Sequence, residues 1–186
     1  SIENFDGVTA PALPTGWTST VVTGSIANWA SASTTPDSGT TAIFASPVAS
    51  VAEVRLDSAA FAVPAGVTSQ LSFRHRWNTE DSYDGGVLEI AIGAGAFSDI
   101  ITAGGSFVSG GYTSTIASGS GNTLIGRAAW SGSSNTAYTT TVINLPAAAA
   151  GQNVRLRFRL ASDDSFLPAG TNVWRIDTMR LQVTSL

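Results

Sequence analysis

The 186-residue chain contains no cysteine and no lysine, and only 12% of its residues are charged. The absence of cysteine excludes disulfides and thiolate metal sites. All nine basic residues are arginine and the formal net charge is −4, so we expect no nucleic-acid partner. No apolar run approaches the ~18 residues of a membrane-spanning segment, and no basic stretch followed by an apolar one predicts a signal peptide. We therefore expect no insertion into a membrane.

Residues and motifs for catalysis are also scarce. His75 is the only histidine, and it falls on the same strand face as Phe73 and Trp77, so we expect it in the core. There is no Gly-x-Ser-x-Gly elbow and no His-Glu-x-x-His zinc motif. A glycosidase needs only two carboxylates at a set separation, so a carbohydrate-active enzyme stays open as an alternative.

The strongest pattern in the sequence has a period of two, which is typical of strands with one buried face. Leu71, Phe73, His75 and Trp77 alternate with Ser72, Arg74 and Arg76. About ten short strands separated by Gly, Pro and Ser predict an all-β, jelly-roll β-sandwich of two antiparallel sheets. The length suits one domain over residues 1–186. Further strands are predicted at 18–23, 40–45, 123–130, 138–145 and 173–183.

Two segments do not follow this pattern. Residues 147–150 are four alanines between a proline and a glycine, which leaves room for one helical turn, and we interpret them as a connector. Residues 93–121 are rich in Gly, Ser and Thr and read as a long insertion of loops with one weak hairpin.

Acidic residues occur in both terminal strands. Near Asp177 the alternation of the last strand slips by one residue, which predicts a bulge and places the carboxylate near the core. A buried carboxylate needs a partner, and Ca²⁺ held also by Glu3 and Asp6 of the first strand would supply one. The alternative is that Asp177 accepts backbone hydrogen bonds or pairs with Arg175 or Arg180.

A second acidic cluster covers residues 80–84 and ends in Asp84-Gly85, a strong hairpin signal. Its carboxylates are therefore either solvated groups on a turn or ligands in a cation-binding loop. Asp163-Asp164-Ser165 follows another strand and can reach either acidic cluster if its loop folds back.

Two kinds of side chain are candidates for ligand binding. Arg155, Arg157 and Arg159 line one face of a strand, which predicts either a solvent-facing row of ion pairs or a platform for an anionic polysaccharide. Trp29 and Trp130 lie beside Ser-, Ala- and Gly-rich loops, which makes them better candidates for exposed rings than Trp77 and Trp174, although most Trp in sandwiches lie in the core. Tyr112 lies in the insertion. Our ligand-binding candidates are Trp29, Trp130, Tyr112, Arg155 and Arg157.

The order of several short motifs is moderately specific. They are Glu3-Asn4-Phe5-Asp6, Pro14-Thr15-Gly16-Trp17, residues 71–77, residues 83–90, residues 154–159 and Trp174-Arg175-Ile176-Asp177. In this order the chain resembles the bacterial extracellular jelly-roll family that includes the cleaved adhesin domains of gingipain-type proteases. It is also similar to the accessory modules of immune-inhibitor-A-type metalloproteases and, distantly, to MAM domains.

This resemblance implies a jelly roll with structural calcium that acts as an appendage of a larger secreted or cell-surface bacterial protein. Its calcium ligands, carried over, are Glu3, Asp6 and Asp177, while Asp84 matches the Asp-Gly-Gly turn. The implied function is a non-catalytic module that binds a surface glycan or an extracellular protein. A purely structural spacer of an adhesin and a carbohydrate-active enzyme are the alternatives.

Overall fold

The chain folds into two large antiparallel sheets, which we describe for residues 2–186 of a computed structural model. Sheet A has the strand order β10-β13-β7-β15-β4-β3, with β1 also paired to β15. Sheet B has the order β2-β5-β14-β8-β9, with β6 also paired to β14. The strands are β1 Ile2–Glu3, β2 Thr18–Thr23, β3 Ala30–Ala32, β4 Ala42–Ala45, β5 Ala52–Asp57, β6 Phe61–Ala62, β7 Val67–Asn78, β8 Gly85–Ile92, β9 Ser98–Asp99, β10 Ser106–Ser109, β11 Ser114–Thr115, β12 Ala128–Ala129, β13 Thr139–Asn144, β14 Asn153–Ser162 and β15 Val173–Ser185. The predicted all-β sandwich is therefore confirmed.

The period-two pattern determines which side chains form the core. Along β7 the side chains of Leu71, Phe73, His75 and Trp77 are buried between the sheets, and those between them are half-exposed. β14 contributes the opposing layer through Leu156, which is completely buried. Burial of apolar area is the main favourable term in folding, so this alternation specifies the strand register.

The two ends of the chain lie side by side, as predicted. β15 pairs with β7 along its whole length, and on its other edge it pairs first with β4 and then with β1. Glu3 is opposite Met179 in this second pairing. The predicted bulge is present, because the β7 register shifts between Asp177 and Arg180, and Thr178 has a φ of 47°.

The long insertion covers the outer face of sheet B. The hairpin of β11 and β12 lies over β8 and encloses a second apolar cluster, whose members are Val87, Ile116, Leu124, Ala129 and Ala161. β8 is therefore buried on both faces. Glu89 on that face is only 6% exposed.

The predicted strand at 123–130 is reduced to Ala128–Ala129. Asn122 accepts a hydrogen bond from Leu124 N–H with its own side chain at 2.8 Å, and Gly126 has a φ of 77°. Side-chain bonding of this kind favours a turn over an extended strand. The alanine segment forms a single 3₁₀ turn at Ala147–Ala149, which agrees with the predicted connector. Across residues 2–186, no helix has the length and apolar character needed to cross a bilayer.

Candidate functional site

Three acidic side chains meet at one end of the sandwich. Glu80 and Asp84 lie on the turn between β7 and β8, and Asp163 follows β14. One carboxylate oxygen of each lies within 4.8 Å of the others. The condition that the sequence left open, that the loop after β14 folds back onto an acidic cluster, is therefore met. We call these three residues the acidic triad.

Backbone hydrogen bonds hold the triad together. The N–H of Asp84 donates to the Glu80 carbonyl at 2.9 Å, which closes the turn, and Ser82 within it has a φ of 66°. The Asp163 N–H donates to Oδ1 of Asp84 at 2.8 Å and ties the two loops to each other. The hydroxyl of Ser131 donates to the Asp84 carbonyl from a third segment. The carboxylates therefore converge because three loops are bonded around them.

The acidic triad has no compensating positive charge in the described part of the chain. Asp84 is 0% and Asp163 is 3% exposed, and neither they nor Glu80 takes part in an ion pair among residues 2–186. Oδ2 of Asp84 and Oε2 of Glu80 are buried without a hydrogen-bond partner. Buried polar atoms almost always have a partner, so two buried carboxylate oxygens without one at the same point mark a candidate cation site.

The electrostatics of the triad support this interpretation. Burial, together with the negative charges of Asp163 and Glu80, raises the pKa of Asp84 to about 7. Burial and the charges of Asp163 and Asp164 also raise the pKa of Glu80. A cation among these oxygens would favour the ionised forms and reverse both shifts.

Glu53 shows how this chain normally accommodates a buried carboxylate. It is 1% exposed, and it accepts hydrogen bonds from Arg159 at 2.8 Å, Thr123 at 2.6 Å and Arg55 at 2.6 Å. Burial alone would raise the pKa of Glu53, but the Arg159 and Thr123 bonds outweigh it and lower the pKa to about 2. The acidic triad has no comparable set of donors.

The terminal carboxylates that were predicted to bind calcium accept hydrogen bonds from backbone N–H groups. Oδ1 of Asp6 accepts the Thr40 and Thr41 N–H groups at 2.7 and 2.9 Å. Oε1 of Glu3 accepts the Phe5 N–H at 2.6 Å.

Asp177, the third terminal carboxylate, is completely buried. It accepts N–H groups from Asp37 at 2.9 Å, Ser38 at 3.2 Å and Thr178 at 2.7 Å. This arrangement matches the alternative of backbone hydrogen bonding left open by the sequence. A cation held by Glu3, Asp6 and Asp177 stays a prediction, whereas Asp84 belongs to the triad.

The row of arginines on β14 is largely engaged within the protein. Arg157 donates two hydrogen bonds to Asp57, at 2.7 and 2.9 Å, and its guanidinium lies 3.9 Å from the ring centroid of Phe97. Arg155 is exposed, 5.0 Å from the same ring. Arg159 bridges Glu53 and Glu89, which are both buried. The prediction that the row faces solvent was therefore wrong for Arg159. Ligand binding by Arg155 and Arg157 stays a prediction.

The expectation of exposed tryptophan rings was wrong. Trp29 is 2% and Trp130 is 1% exposed, because both rings belong to the main hydrophobic core. Trp29 contacts Trp174 edge-on, at 5.4 Å between centroids. Tyr112 is partly buried, and its hydroxyl donates to Asp99 at 2.8 Å and accepts the Leu88 N–H at 3.1 Å. Neither tryptophan ring can stack on a sugar in this structure.

His75 lies in the core, as predicted. Its Nδ1 accepts the Trp174 indole N–H at 3.1 Å, and its Nε2 donates to the Thr141 hydroxyl at 2.8 Å. Burial, with a smaller effect from Arg74, lowers the pKa of His75 to about 3. The ring is therefore a neutral structural group.

Sequence reasoning singled out only Asp84 of the triad. Glu80 and Asp163 were left open between solvated turn residues and cation ligands, because each lies in a short polar run that is also typical of a turn. The available signal was the repetition of this pattern directly after two buried strands. Whether the two turns meet depends on sheet pairing, in which β8 and β14 are neighbours.

No protein family and no curated protein matches the sequence, but solved structures share the fold. A carbohydrate-binding module from the β-sandwich superfamily aligns at a TM-score of 0.53 and 9% identity, over 96% of this chain and 60% of that one. A family 61 carbohydrate-binding module, solved with β-1,4-galactotriose, gives 0.54 and 10% over 98% and 99% of the two chains. The K2 cleaved adhesin domain of Lys-gingipain gives 0.52 and 16% over 98% and 97%.

The chain thus spans about 60% of the first of these proteins, and 20% of a bacteriophage tailspike protein that it also resembles. The neighbours include carbohydrate-binding modules and adhesin domains, in agreement with part of the predicted resemblance. At these identities the likeness shows the fold alone. The similarity to immune-inhibitor-A-type modules and MAM domains stays a prediction.

Proposed function

We propose that this chain is a non-catalytic module that binds a glycan and is stabilised by Ca²⁺ at the acidic triad. The observation that carries the proposal is the meeting of Glu80, Asp84 and Asp163 with two buried oxygens that have no partner. The likeness to carbohydrate-binding modules and adhesin domains supports the choice of a glycan over a catalytic substrate. We place the module, residues 1–186, in a larger secreted or cell-surface protein.

Calcium is the cation that the donor set fits best. The three carboxylates offer only oxygen, which hard cations prefer. They come from two loops and differ in side-chain length. Ca²⁺ accepts such irregular shells of six to eight oxygens at about 2.3–2.6 Å, whereas Mg²⁺ demands a near-ideal octahedron. A cation that binds only the folded state stabilises it by mass action.

Calorimetric titration tests the cation. Ca²⁺ titrated into chelator-treated protein should bind the wild type, and Asp84→Asn should abolish the binding because it removes a charge and an oxygen ligand. Asp81→Asn is the matched control, since Asp81 is exposed on the same turn and the substitution removes the same charge. Equal affinity in all three proteins would show that the triad is not the site.

A panel of immobilised polysaccharides tests the glycan. We expect reproducible retention of the calcium-loaded protein on at least one polysaccharide, with no reducing sugar released. Release of reducing sugar would favour the carbohydrate-active enzyme instead. Absence of retention on every member would favour the structural spacer.

A further inference from the structure

A small cleft opens at the edge of the sandwich where β1 meets β15. Its floor is made of buried Leu71, Leu156 and Met179, and its walls are the half-buried rings of Trp17 and Phe61. We call it the edge cleft. Its floor is apolar because here the inner faces of both sheets reach the surface.

The edge cleft has the size of a single ring. Its volume is about 190 Å³, below the roughly 300–1,000 Å³ of pockets that enclose drug-sized ligands. Aromatic walls with a few polar groups at the rim are typical of sites that orient a small amphipathic ligand. The rim carries Glu3, whose Oε1 accepts the Phe5 N–H, and the exposed Arg180.

Arg180 differs from the other eight arginines. Five of those have a carboxylate within 4.0 Å, and each of the remaining three lies over an aromatic ring. Within residues 2–186, Arg180 has neither kind of partner. The paired arginines are Arg55, Arg74, Arg127, Arg157 and Arg159, and those over rings are Arg76, Arg155 and Arg175.

Arg180 also lines a second cavity of about 290 Å³ on the outer face of sheet A. This polar groove is bordered by Ser72, Thr140 and the Arg74–Asp37 ion pair, whose atoms lie 2.9 Å apart. An unpaired guanidinium therefore borders both an apolar cleft of ring size and a larger polar groove. This is the arrangement that an anionic chain of rings would match.

We propose that the edge cleft binds one uronic acid unit of an acidic glycan, with its carboxylate on Arg180. This inference rests on the proposed function and names the ligand class and its site. The apolar face of the sugar ring packs against Trp17 and Phe61, and Glu3 accepts hydrogen bonds from its hydroxyls. The glycan continues from there into the polar groove.

The charge of Arg180 selects this occupant over the alternatives. A guanidinium and a carboxylate form two parallel charge-assisted hydrogen bonds, about twice as strong as neutral ones. A neutral sugar would use the same walls without this bond. An apolar side chain of a protein partner would fill the floor but leave Arg180 and Glu3 without a role.

The probes are polygalacturonate, polymannuronate and polyglucuronate, each compared with its own carboxyl-reduced form. We expect calcium-loaded wild type to bind at least one acidic polymer at least tenfold more tightly than its reduced form. Arg180→Gln should remove that preference, because it keeps length and polarity but loses the charge. Arg76→Gln, a loss of the same charge elsewhere on sheet A, should change the affinity less than twofold.

A second variant tests the cleft without removing any packing. Ala60 is exposed at the rim, and Ala60→Trp should block the cleft and weaken binding at least tenfold while the melting midpoint stays unchanged. Binding of neutral polymers that neither variant affects would overturn this inference and leave the proposed function intact. Binding of no polymer, acidic or neutral, would overturn both.

Discussion

The acidic triad leads to a specific prediction about stability. Its carboxylates should destabilise the folded protein without a cation and stabilise it when a cation is bound. In chelator, ionised Asp84 is buried next to two other acids, so Asp84→Asn should stabilise the protein at pH 8. The side-chain amide of the variant keeps an oxygen that accepts the Asp163 N–H, and it gains an N–H that can donate to the carboxylates of Glu80 and Asp163. In Ca²⁺ the same substitution should destabilise the protein, because it removes a ligand.

The magnitude follows from the pKa. An Asp near 3.9 in the unfolded chain and about 7 in the folded one binds its proton more tightly when folded. The apo protein therefore loses stability as pH rises from about 4 through 7, by about 4 kcal/mol as an upper limit. Sharing of the proton with Glu80 and Asp163 reduces this, and we expect about 2 kcal/mol, or 4–8 °C in melting midpoint.

The assay is chemical or thermal unfolding of wild type and Asp84→Asn between pH 4 and 8, in chelator and in Ca²⁺. In each protein measured alone, His75 also contributes to the dependence of stability on pH. Its pKa of about 3 in the fold makes stability fall as pH drops below about 6.5. The difference between the two proteins cancels that contribution and isolates Asp84.

The reasoning predicts that this difference grows with pH in chelator and changes sign in Ca²⁺. At 100 times the dissociation constant, Ca²⁺ adds about 2.7 kcal/mol to the wild type. A constant difference at every pH, the same in chelator and Ca²⁺, would refute it. Asp84 would then be a carboxylate that only organises the turn.

Two further predictions concern buried polar groups of the core and the last strand. His75→Gln should reduce the loss of stability between pH 6.5 and 4, measured by urea unfolding. It should also lower stability at pH 8 by about 2 kcal/mol, because the ring contacts are lost. An unchanged dependence of stability on acid pH would mean that His75 is not held neutral. Asp177→Asn should lower the melting midpoint equally in Ca²⁺ and in chelator, because its carboxylate accepts the Asp37, Ser38 and Thr178 amides. A loss confined to Ca²⁺ would instead establish the cation site predicted between the terminal strands.

Local pattern was sufficient for most strands. The alternation in β7 and β14 predicted which side chains are buried, because a pleated strand directs successive side chains to opposite faces. The slip near Asp177 predicted the bulge for the same reason. Flanking composition was a weaker guide, since Trp29 and Trp130 lie beside Ser- and Gly-rich segments and still pack in the main core.

The candidate sites were harder to predict because their members are distant in sequence. Glu80 and Asp163 each look like a turn residue, and they meet because β8 and β14 are neighbours in sheet B. The sequence does not distinguish Arg180 from the other eight arginines, whereas the structure shows that those eight have partners. Pairing, burial and the lack of a partner are properties of the assembled chain.

By itself, the sequence determined an all-β chain without disulfides, its main buried faces, the neutral core histidine and the break in the last strand. All of these depend on local periodicity and residue chemistry. The tertiary structure alone decided which carboxylates converge, which outer face the insertion covers and which guanidinium remains unpaired. These depend on the strand order and on loops that bring residues about 80 positions apart into hydrogen-bonding distance, as for Asp84 and Asp163.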